Sequence, residues 1–346
     1  MAATDPALSF YSDNTAGVCP ELLAAIAAAN IRHKSYGEDP WTRRLDELFG
    51  AFFGAPVRSF VVTTGTAANA LALATLTPPY GAVYAHEQAH VVQDECGAPA
   101  FFSGGARLAL LPGEHGKLTA AALAAALEAA TPSVHSVQPV AVTLTQCTEL
   151  GTCYRPAEVA AIAAVARAHG LRLHVDGARL ANALAFLGCH PGDVTWRAGV
   201  DVLSFGATKN GALAAEAVVF FDQALVEDFE LRRKRAGHLL SKSRYASAQL
   251  AAYLESGLWR ANAGRANHLA ARIATAAGAR LLHPVEANEL FLRLGAAGRQ
   301  HLRAAGFGFY DWGAPTLGHA RFVVSWDQDE GGVAALCEAL RELDAG

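Results

Sequence analysis

The sequence of 346 residues predicts an α/β fold, in which a mostly parallel sheet is flanked by helices and a smaller α+β domain follows at the C-terminus. From about residue 21 to 264, short runs rich in β-branched residues alternate with alanine-rich stretches, as in repeated strand–helix units. After Tyr245, long helical stretches precede short strands. We therefore expect a large domain over residues 1–245 and a small domain over 246–346, with the N-terminal segment able to pack on the small domain.

Seven strands are predicted for the main sheet, at residues 59–63, 82–85, 108–111, 139–145, 171–175, 200–205 and 217–221. The last run is expected to pair antiparallel with its neighbour, because little chain separates it from the strand before it. Helices are predicted between the strands, among others at 66–75, 119–130, 156–169 and 195–198. In the small domain we expect helices at 246–253, 261–277 and 332–343 and strands near 289–294 and 321–325.

Composition excludes several classes of partner. The net charge is −4, and the densest basic run, at 232–235, is typical of a solvated helix face, so we expect no nucleic-acid partner. The alanine-rich runs are shorter than the ~20 residues that a membrane crossing needs, and residues 1–10 lack a signal-peptide pattern. Six scattered cysteines without metal-ligand spacing predict reduced thiols, no metal and a cytoplasmic location.

Asp176 and Lys209 are the most informative residues, because each follows a predicted strand. The carboxyl ends of parallel strands meet at one edge of a sheet, where functional groups cluster. An amine can form a Schiff base with an aldehyde cofactor, and a carboxylate can hold the proton of a pyridine nitrogen. The pair therefore indicates pyridoxal 5'-phosphate (PLP) chemistry. The simpler alternatives are a helix N-cap for Asp176 and a solvated loop position for Lys209.

Two further segments suit the same chemistry. Gly65 and Thr66 stand where a predicted strand turns into a helix, whose free N–H groups and partial positive charge suit a phosphate. A capped helix start with nothing bound explains the same pattern equally well. His90 can stack on an aromatic ring or transfer a proton, although single histidines are more often surface or core residues.

Together, these residues resemble the low-specificity L-threonine aldolases, in the β-eliminating-lyase branch of fold-type-I PLP-dependent enzymes. The resemblance covers about residues 9–330 and is carried by an ordered set of segments. These are Ser12-Asp13-Asn14, Tyr36-Gly37-Glu38-Asp39-Pro40, Thr64-Gly65-Thr66-Ala67-Ala68-Asn69, His90 with Glu95-Cys96-Gly97, Asp176-Gly177-Ala178-Arg179 and Thr208-Lys209-Asn210-Gly211.

The resemblance implies a cofactor role for six residues. Lys209 would bond to the cofactor aldehyde, Asp176 would pair with the pyridine nitrogen, and His90 would stack on the ring. Gly65 and Thr66 would bind the phosphate. Arg179 would contact the ring oxygen of the cofactor or a nearby carboxylate.

The resemblance also implies the substrate and the assembly. Ser12 and Arg321 would hold the carboxylate of an amino-acid substrate. Tyr36, with Arg235 or Lys242, would reach the site of a neighbouring subunit in a homodimer or homotetramer.

One position departs from the family. Many relatives carry a histidine, thought to touch the substrate β-hydroxyl, where this chain has Glu149. The base for that hydroxyl is therefore open between His90, Glu149, Asp94 and a water molecule. The expected reaction is retro-aldol cleavage of L-threonine, L-allo-threonine or L-phenylserine to glycine and an aldehyde. Another PLP reaction such as β-elimination or transamination, and a non-catalytic binding or assembly module, are the alternatives.

Overall fold

The computed structural model describes residues 5–131 and 133–343. Its main sheet has seven strands in the order β1-β7-β6-β5-β4-β2-β3. The strands are β1 Arg58–Val62, β2 Gly81–His86, β3 Arg107–Leu111, β4 Gln138–Thr145, β5 Arg172–Gly177, β6 Val202–Gly206 and β7 Glu216–Phe220. Strands β2 to β6 pair parallel, whereas β7 pairs antiparallel with β6 and β1. The predicted parallel sheet and its antiparallel strand are confirmed.

Helices flank this sheet and join it to the C-terminal part. They are α1 Pro20–Ala28, α2 Pro40–Arg43, α3 Leu45–Phe53, α4 Gly65–Leu76, α5 His90–Gln93, α6 Ala98–Ser103, α7 Ala120–Ala129, α8 Pro156–Ala168, α9 Leu180–Leu187, α10 Val226–Arg235, α11 Arg244–Glu255, α12 Leu258–Ala277, α13 Gly295–Ala304 and α14 Glu330–Glu342. Among the described residues, no helix is both long enough and apolar enough to cross a membrane.

One predicted helix is shorter than expected. The segment 195–198 holds only a 3-10 turn over Trp196–Ala198, which follows another 3-10 turn over Pro191–Val194. Gly199 ends it with φ +98°, in the left-handed region that favours glycine. The run is therefore a connection between α9 and β6.

A second, antiparallel sheet lies in the C-terminal part. It contains β8 Glu289–Arg293, β9 Tyr310–Trp312 and β10 His319–Val323, with β10 in the centre. Strands β8 and β10 match the predicted strands. Sequence analysis missed β9, which has only three residues and includes the exposed Asp311.

The structure has separate hydrophobic cores under the two sheets. Phe205 and Tyr253 pack in the core of the main sheet, so α11 contributes to that core. Leu269 and Phe322 pack in the core of the small sheet, together with Phe10 from the N-terminal segment. Phe10 also donates its backbone N–H to the Gly308 carbonyl at 2.8 Å. The domain division at residue 245 stays a prediction.

Candidate active site

Five of the predicted site residues line one cavity of about 390 Å³: Gly65, Thr66, His90, Asp176 and Lys209. The cavity lies where β5 and β6 end and α4 begins. The remaining lining residues are Asn14, Thr63, Thr64, Asn69, Ala178, Thr208, Ala214 and Glu216. The cavity thus combines an amine, carboxyl groups and a helix N-terminus at the carboxyl edge of the parallel strands, where open α/β sheets bind ligands.

One end of the cavity is the N-terminus of α4. The apolar strand β1 is buried toward its end, and Thr64 then caps the helix by accepting the Ala67 N–H at 3.1 Å. The first turn, with Gly65 and Thr66, contributes backbone N–H groups and the positive end of the helix dipole. This end of the cavity therefore suits an anionic group such as a phosphate.

A hydrogen-bonded row of four side chains is the second feature of the cavity region. Asn69 Nδ2 donates to Asp176 Oδ2 at 2.7 Å and to Glu95 Oε1 at 2.8 Å. His90 Nδ1 donates to the same Glu95 oxygen at 2.9 Å. The Ala178 N–H donates to Asp176 Oδ1 at 3.0 Å. Asp176 is therefore a buried carboxylate whose oxygens already accept protein donors.

The row also sets the protonation of His90 and Glu95. The hydrogen bond to Glu95 raises the pKa of His90 above 6.5 against the opposing effect of burial, and the charges of Asp176 and Glu149 add to the rise. Burial raises the pKa of the Glu95 carboxyl, although His90 and Asn69 act in the opposite direction. His90 is therefore held with a proton on Nδ1, in a position to act on a group in the cavity.

His90, Glu95 and Asp176 also bring one potential metal ligand each to within 4.8 Å of one another. Asn69 donates hydrogen bonds to both carboxylates, at 2.7 and 2.8 Å. An N–H donor between the two carboxylates would direct its positive end at a bound cation, so the geometry favours a hydrogen-bonded cluster.

Lys209 lies in a 3-10 turn directly after β6. Its neighbour Asn210 is buried and donates to the Tyr253 hydroxyl at 2.5 Å and to the Trp259 carbonyl at 2.9 Å. Gly211 ends the turn with φ +110°. The turn is thus fixed to α11 and α12, and this support holds the Lys209 backbone at the cavity.

Arg179 contacts carboxylates of the protein itself. Its Nε and Nη2 donate to the two oxygens of Asp13 at 2.7 and 3.0 Å, and Nη1 lies 3.4 Å from Glu289 Oε2. All three side chains are buried. Burial alone would raise the pKa of Asp13, but the charges of Arg179 and Lys209 lower it to about 2. Arg179 was predicted to contact either the ring oxygen of the cofactor or a nearby carboxylate. In this structure it contacts the carboxylates of Asp13 and Glu289.

Arg321 joins this network from β10. Its Nη2 donates to Glu289 Oε1 at 2.6 Å, so Glu289 lies between the two arginines. The buried Nε of Arg321 donates to no group of the described chain. Ser12, predicted beside Arg321, accepts the Asn14 N–H at 3.2 Å and starts the 3-10 turn Asp13–Thr15. Ser12 stands two residues before Asn14, which lines the cavity, and Arg321 is connected to Asp13 through Glu289 and Arg179.

Glu149 interacts electrostatically with the same charged groups. Burial raises the pKa of its carboxyl, Glu289 raises it further, and the charges of Lys209, Arg179 and His90 oppose the rise. The role of Glu149 at the substrate stays a prediction. Asp94, the other acidic candidate, is exposed at the end of α5.

Like Ser12, Glu149, Arg179 and Arg321, three more predicted residues do not line the cavity. Tyr36 is half exposed, and Lys234 Nζ lies over its ring at 5.0 Å from the ring centroid, a cation–π contact. Arg235 lines a separate surface cleft, and Lys242 is exposed. Their role toward a neighbouring subunit stays a prediction.

Four residues of the site had no assigned role in the sequence analysis: Asn69, Glu95, Glu216 and Glu289. Asn69 stands four residues after Gly65, a helical spacing that puts both on one face of α4. Glu216 and Glu289 each begin a strand that is otherwise almost entirely apolar. An acidic residue at the start of a buried strand is the signal that could have found them.

Known proteins with similar sequence or structure agree with this geometry. The model of the beta-eliminating lyase family matches residues 9–297. The low specificity L-threonine aldolase of Pseudomonas sp. (strain NCIMB 10558) is 45% identical, over 98% of this chain and 99% of that protein. The low specificity L-threonine aldolase of Pseudomonas aeruginosa is 46% identical over 98% of each chain.

A solved structure of threonine aldolase from Leishmania major is also similar. It superposes with a TM-score of 0.90 at 29% identity, over 97% of this chain and 99% of that one. The sequence matches and the fold agree over nearly the whole chain, and the family model covers most of it. The chain therefore belongs to the beta-eliminating lyase family.

Proposed function

We propose that this chain is a PLP-dependent lyase that cleaves L-β-hydroxy-α-amino acids, such as L-threonine, reversibly to glycine and an aldehyde. The observation that carries the proposal is the meeting of Lys209, Asp176 and the α4 N-terminus around one cavity of about 390 Å³. The substrate class rests on the relatives at 45–46% identity, which are low specificity L-threonine aldolases.

The residues present fit PLP. The α4 N-terminus offers donors for a phosphate, Asp176 offers a buried carboxylate for a ring nitrogen, and Lys209 offers an amine for an aldehyde. Gly206, at the end of β6, leaves room for the lining residue Glu216, since a Cβ added to Gly206 would lie 2.9 Å from Glu216 Oε2. When bound, PLP supplies an electron sink for the pair left on Cα when the Cα–Cβ bond breaks.

Asp176 would keep the ring nitrogen protonated, which is what makes the ring an effective sink. Asn69 and the Ala178 N–H hold this carboxylate in a fixed orientation. Lys209 would retain the cofactor by a covalent bond and release it to the substrate amine. His90, fixed by Glu95, would lie against the ring.

Arg321 is the best placed group for the substrate carboxylate. Arg179 is already engaged by both oxygens of Asp13, whereas the Nε of Arg321 is buried and has no partner among the described residues. A guanidinium group can bind a carboxylate through two parallel hydrogen bonds. Ser12 would add a hydroxyl donor.

We assign removal of the β-hydroxyl proton to Glu149. A general base works best when its pKa lies near the working pH, and burial raises the pKa of Glu149 in that direction. His90 is the alternative, and the exposed Asp94 is less suited.

Product analysis tests the proposal. The purified protein with added PLP should convert L-threonine to glycine and acetaldehyde, and L-phenylserine to glycine and benzaldehyde. The ratio of the two rates would define the preference for alkyl or aryl groups. A keto acid with ammonia, in place of glycine, would instead identify β-elimination or transamination.

We further propose that the chain forms a homodimer or homotetramer. The exposed side chains of Tyr36, Phe101 and Leu231 support this, since large exposed apolar groups often mark contacts between subunits. Sedimentation velocity should give a mass of at least two chains, and a monomer would contradict the proposal. Cytoplasmic location remains a proposal that rests on the six free cysteines.

A further inference from the structure

Glu216 is a buried carboxyl at the end of the cavity that suits a phosphate. It begins β7 and pairs with Val62 of β1 on one side and with Gly206 of β6 on the other. Its Oε1 accepts a hydrogen bond from the Thr208 hydroxyl. Its Oε2 faces the helix start, because a Cβ added to Gly65 would lie 3.9 Å from that oxygen.

This position creates an electrostatic conflict for a bound phosphate ester. A phosphate monoester carries close to two negative charges above its second pKa of about 6. A carboxylate beside it would repel it, and the repulsion is strong in a buried site. Burial already raises the pKa of Glu216 to about 7, so the carboxyl can hold a proton near neutral pH.

The charged neighbours of Glu216 do not remove the conflict. Lys209 favours the carboxylate, whereas Asp176 from β5 favours the protonated acid. Burial raises the pKa of the Tyr253 hydroxyl of α11, and the charge of Glu216 adds to the rise, so this group stays uncharged at neutral pH. Of these groups, Lys209 alone is a cation, and the proposed function already commits it to the cofactor aldehyde.

We propose that Glu216 and the phosphate of the cofactor share one proton, so that the carboxyl donates a hydrogen bond from Oε2 to a phosphate oxygen. This inference rests on the proposed function, because it concerns the same cofactor. The proton comes from solvent when both partners are ionised, and no bond other than the hydrogen bond forms. Cofactor binding at alkaline pH would therefore be coupled to the uptake of one proton.

Titration calorimetry with 4-deoxypyridoxine 5'-phosphate tests this coupling without activity. This probe has the phosphate but no aldehyde, so Lys209 cannot bond to it covalently. Pyridoxine has the same ring without phosphate and controls for titration of the ring. Each ligand is titrated at pH 8 in buffers of different ionisation enthalpy, and the probe also from pH 7 to 9.

Wild-type protein should take up about one proton more with the probe than with pyridoxine. Its affinity for the probe should fall by up to about tenfold for each pH unit above 7.5, because one proton is linked to binding. Glu216→Gln keeps the acceptor for Thr208 and donates an N–H in place of the acid. It should take up no extra proton, and its affinity should change little with pH.

Glu227→Gln, the same substitution on the exposed face of α10, should behave like wild type. Equal proton uptake in wild type and Glu216→Gln would overturn the inference and leave the proposed function intact. If Glu216→Gln does not fold, the comparison of the probe with pyridoxine on wild-type protein is sufficient. The inference is refuted if the wild-type protein takes up no more protons with the probe than with pyridoxine. Failure of wild type to bind the probe at all would refute the cofactor assignment, and this inference with it.

Discussion

At the scale of single residues, the carboxyl groups around the cavity differ in ionisation because their neighbours differ. Burial would raise the pKa of Asp13, but the adjacent guanidinium of Arg179 holds it well below the ordinary value. Burial dominates at Glu95, Glu149 and Glu216 and raises their pKa values. The pKa of Glu216 is raised to about 7, so this carboxyl can hold and release a proton near neutral pH.

Asp176→Asn should separate cofactor chemistry from cofactor binding. The amide fills the same space but cannot stabilise a protonated ring nitrogen, so glycine formation from L-threonine should fall by about 10² to 10⁴-fold, the range for proton-transfer groups. Cofactor content, measured by absorbance after gel filtration, should fall far less. Asp94→Asn, at an exposed position close to His90, should leave both quantities unchanged. Unchanged turnover in Asp176→Asn would refute the assigned role.

Glu95→Gln should lower the pKa of His90. In wild type the hydrogen bond from Nδ1 to Glu95 raises this pKa above 6.5, whereas burial lowers it. The pair therefore stabilises the fold fully below pH 6.5, and this stabilisation is lost as pH rises through the pKa of folded His90. NMR titration of the His90 ring protons should show a lower midpoint in Glu95→Gln. An unchanged midpoint would show that Glu95 does not control this histidine.

At the scale of elements, the part of the site built from regular strands and helices was predictable. Asp176, Lys209 and Gly65 each stand at or just after the end of a run with a strand pattern. The structure brings these three residues to one cavity. Strand β9 and the 3-10 turn over Trp196–Ala198 were not predictable in this way. Elements of three residues carry too little periodicity, and neighbouring chain determines their conformation.

Two matched threonines test the helix start as a phosphate site. Thr64 caps α4 and Thr119 caps α7, and each accepts an N–H at 3.1 Å. Loss of an N-cap costs about 1 kcal/mol, so Thr64→Ala and Thr119→Ala should each lower the free energy of unfolding by about that amount in urea titrations. Of the two variants, only Thr64→Ala should also weaken PLP binding, because Thr64 lines the cavity and no residue of α7 does. Equal PLP affinities in the two variants would argue against this site.

At the scale of the whole molecule, a buried charge network joins three distant parts of the chain. Asp13 of the N-terminal segment and Glu289 of β8 both contact Arg179, and Arg321 of β10 contacts Glu289. The resemblance identified both arginines as functional residues. It did not identify their acidic partners, because the pattern of a single sequence does not show which separate segments meet: Arg179 is 166 positions from Asp13, and Arg321 is 32 positions from Glu289.

Asp13→Asn should strongly destabilise the fold. It leaves the buried Arg179 with one carboxylate at 3.4 Å, and removing one member of a buried ion pair costs about 3 kcal/mol or more. Because the pKa of Asp13 is lowered from 3.8 to about 2, its stabilisation is present above pH 3.8 and is lost as pH falls through 2. Urea unfolding at pH 7 measures the loss. Asp228→Asn, which breaks the exposed pair with Arg232, should cost less than about 0.5 kcal/mol.

The most direct test of the central claim locates the cofactor on the chain. Protein incubated with PLP is reduced with borohydride, digested and examined by mass spectrometry. We predict a pyridoxyl group on Lys209, and loss of both this label and the visible absorbance band in Lys209→Ala. Lys34→Ala, which removes an exposed lysine, should keep both. A label on another lysine, or no label on wild type, would contradict the assignment of Lys209 and of the cavity around it.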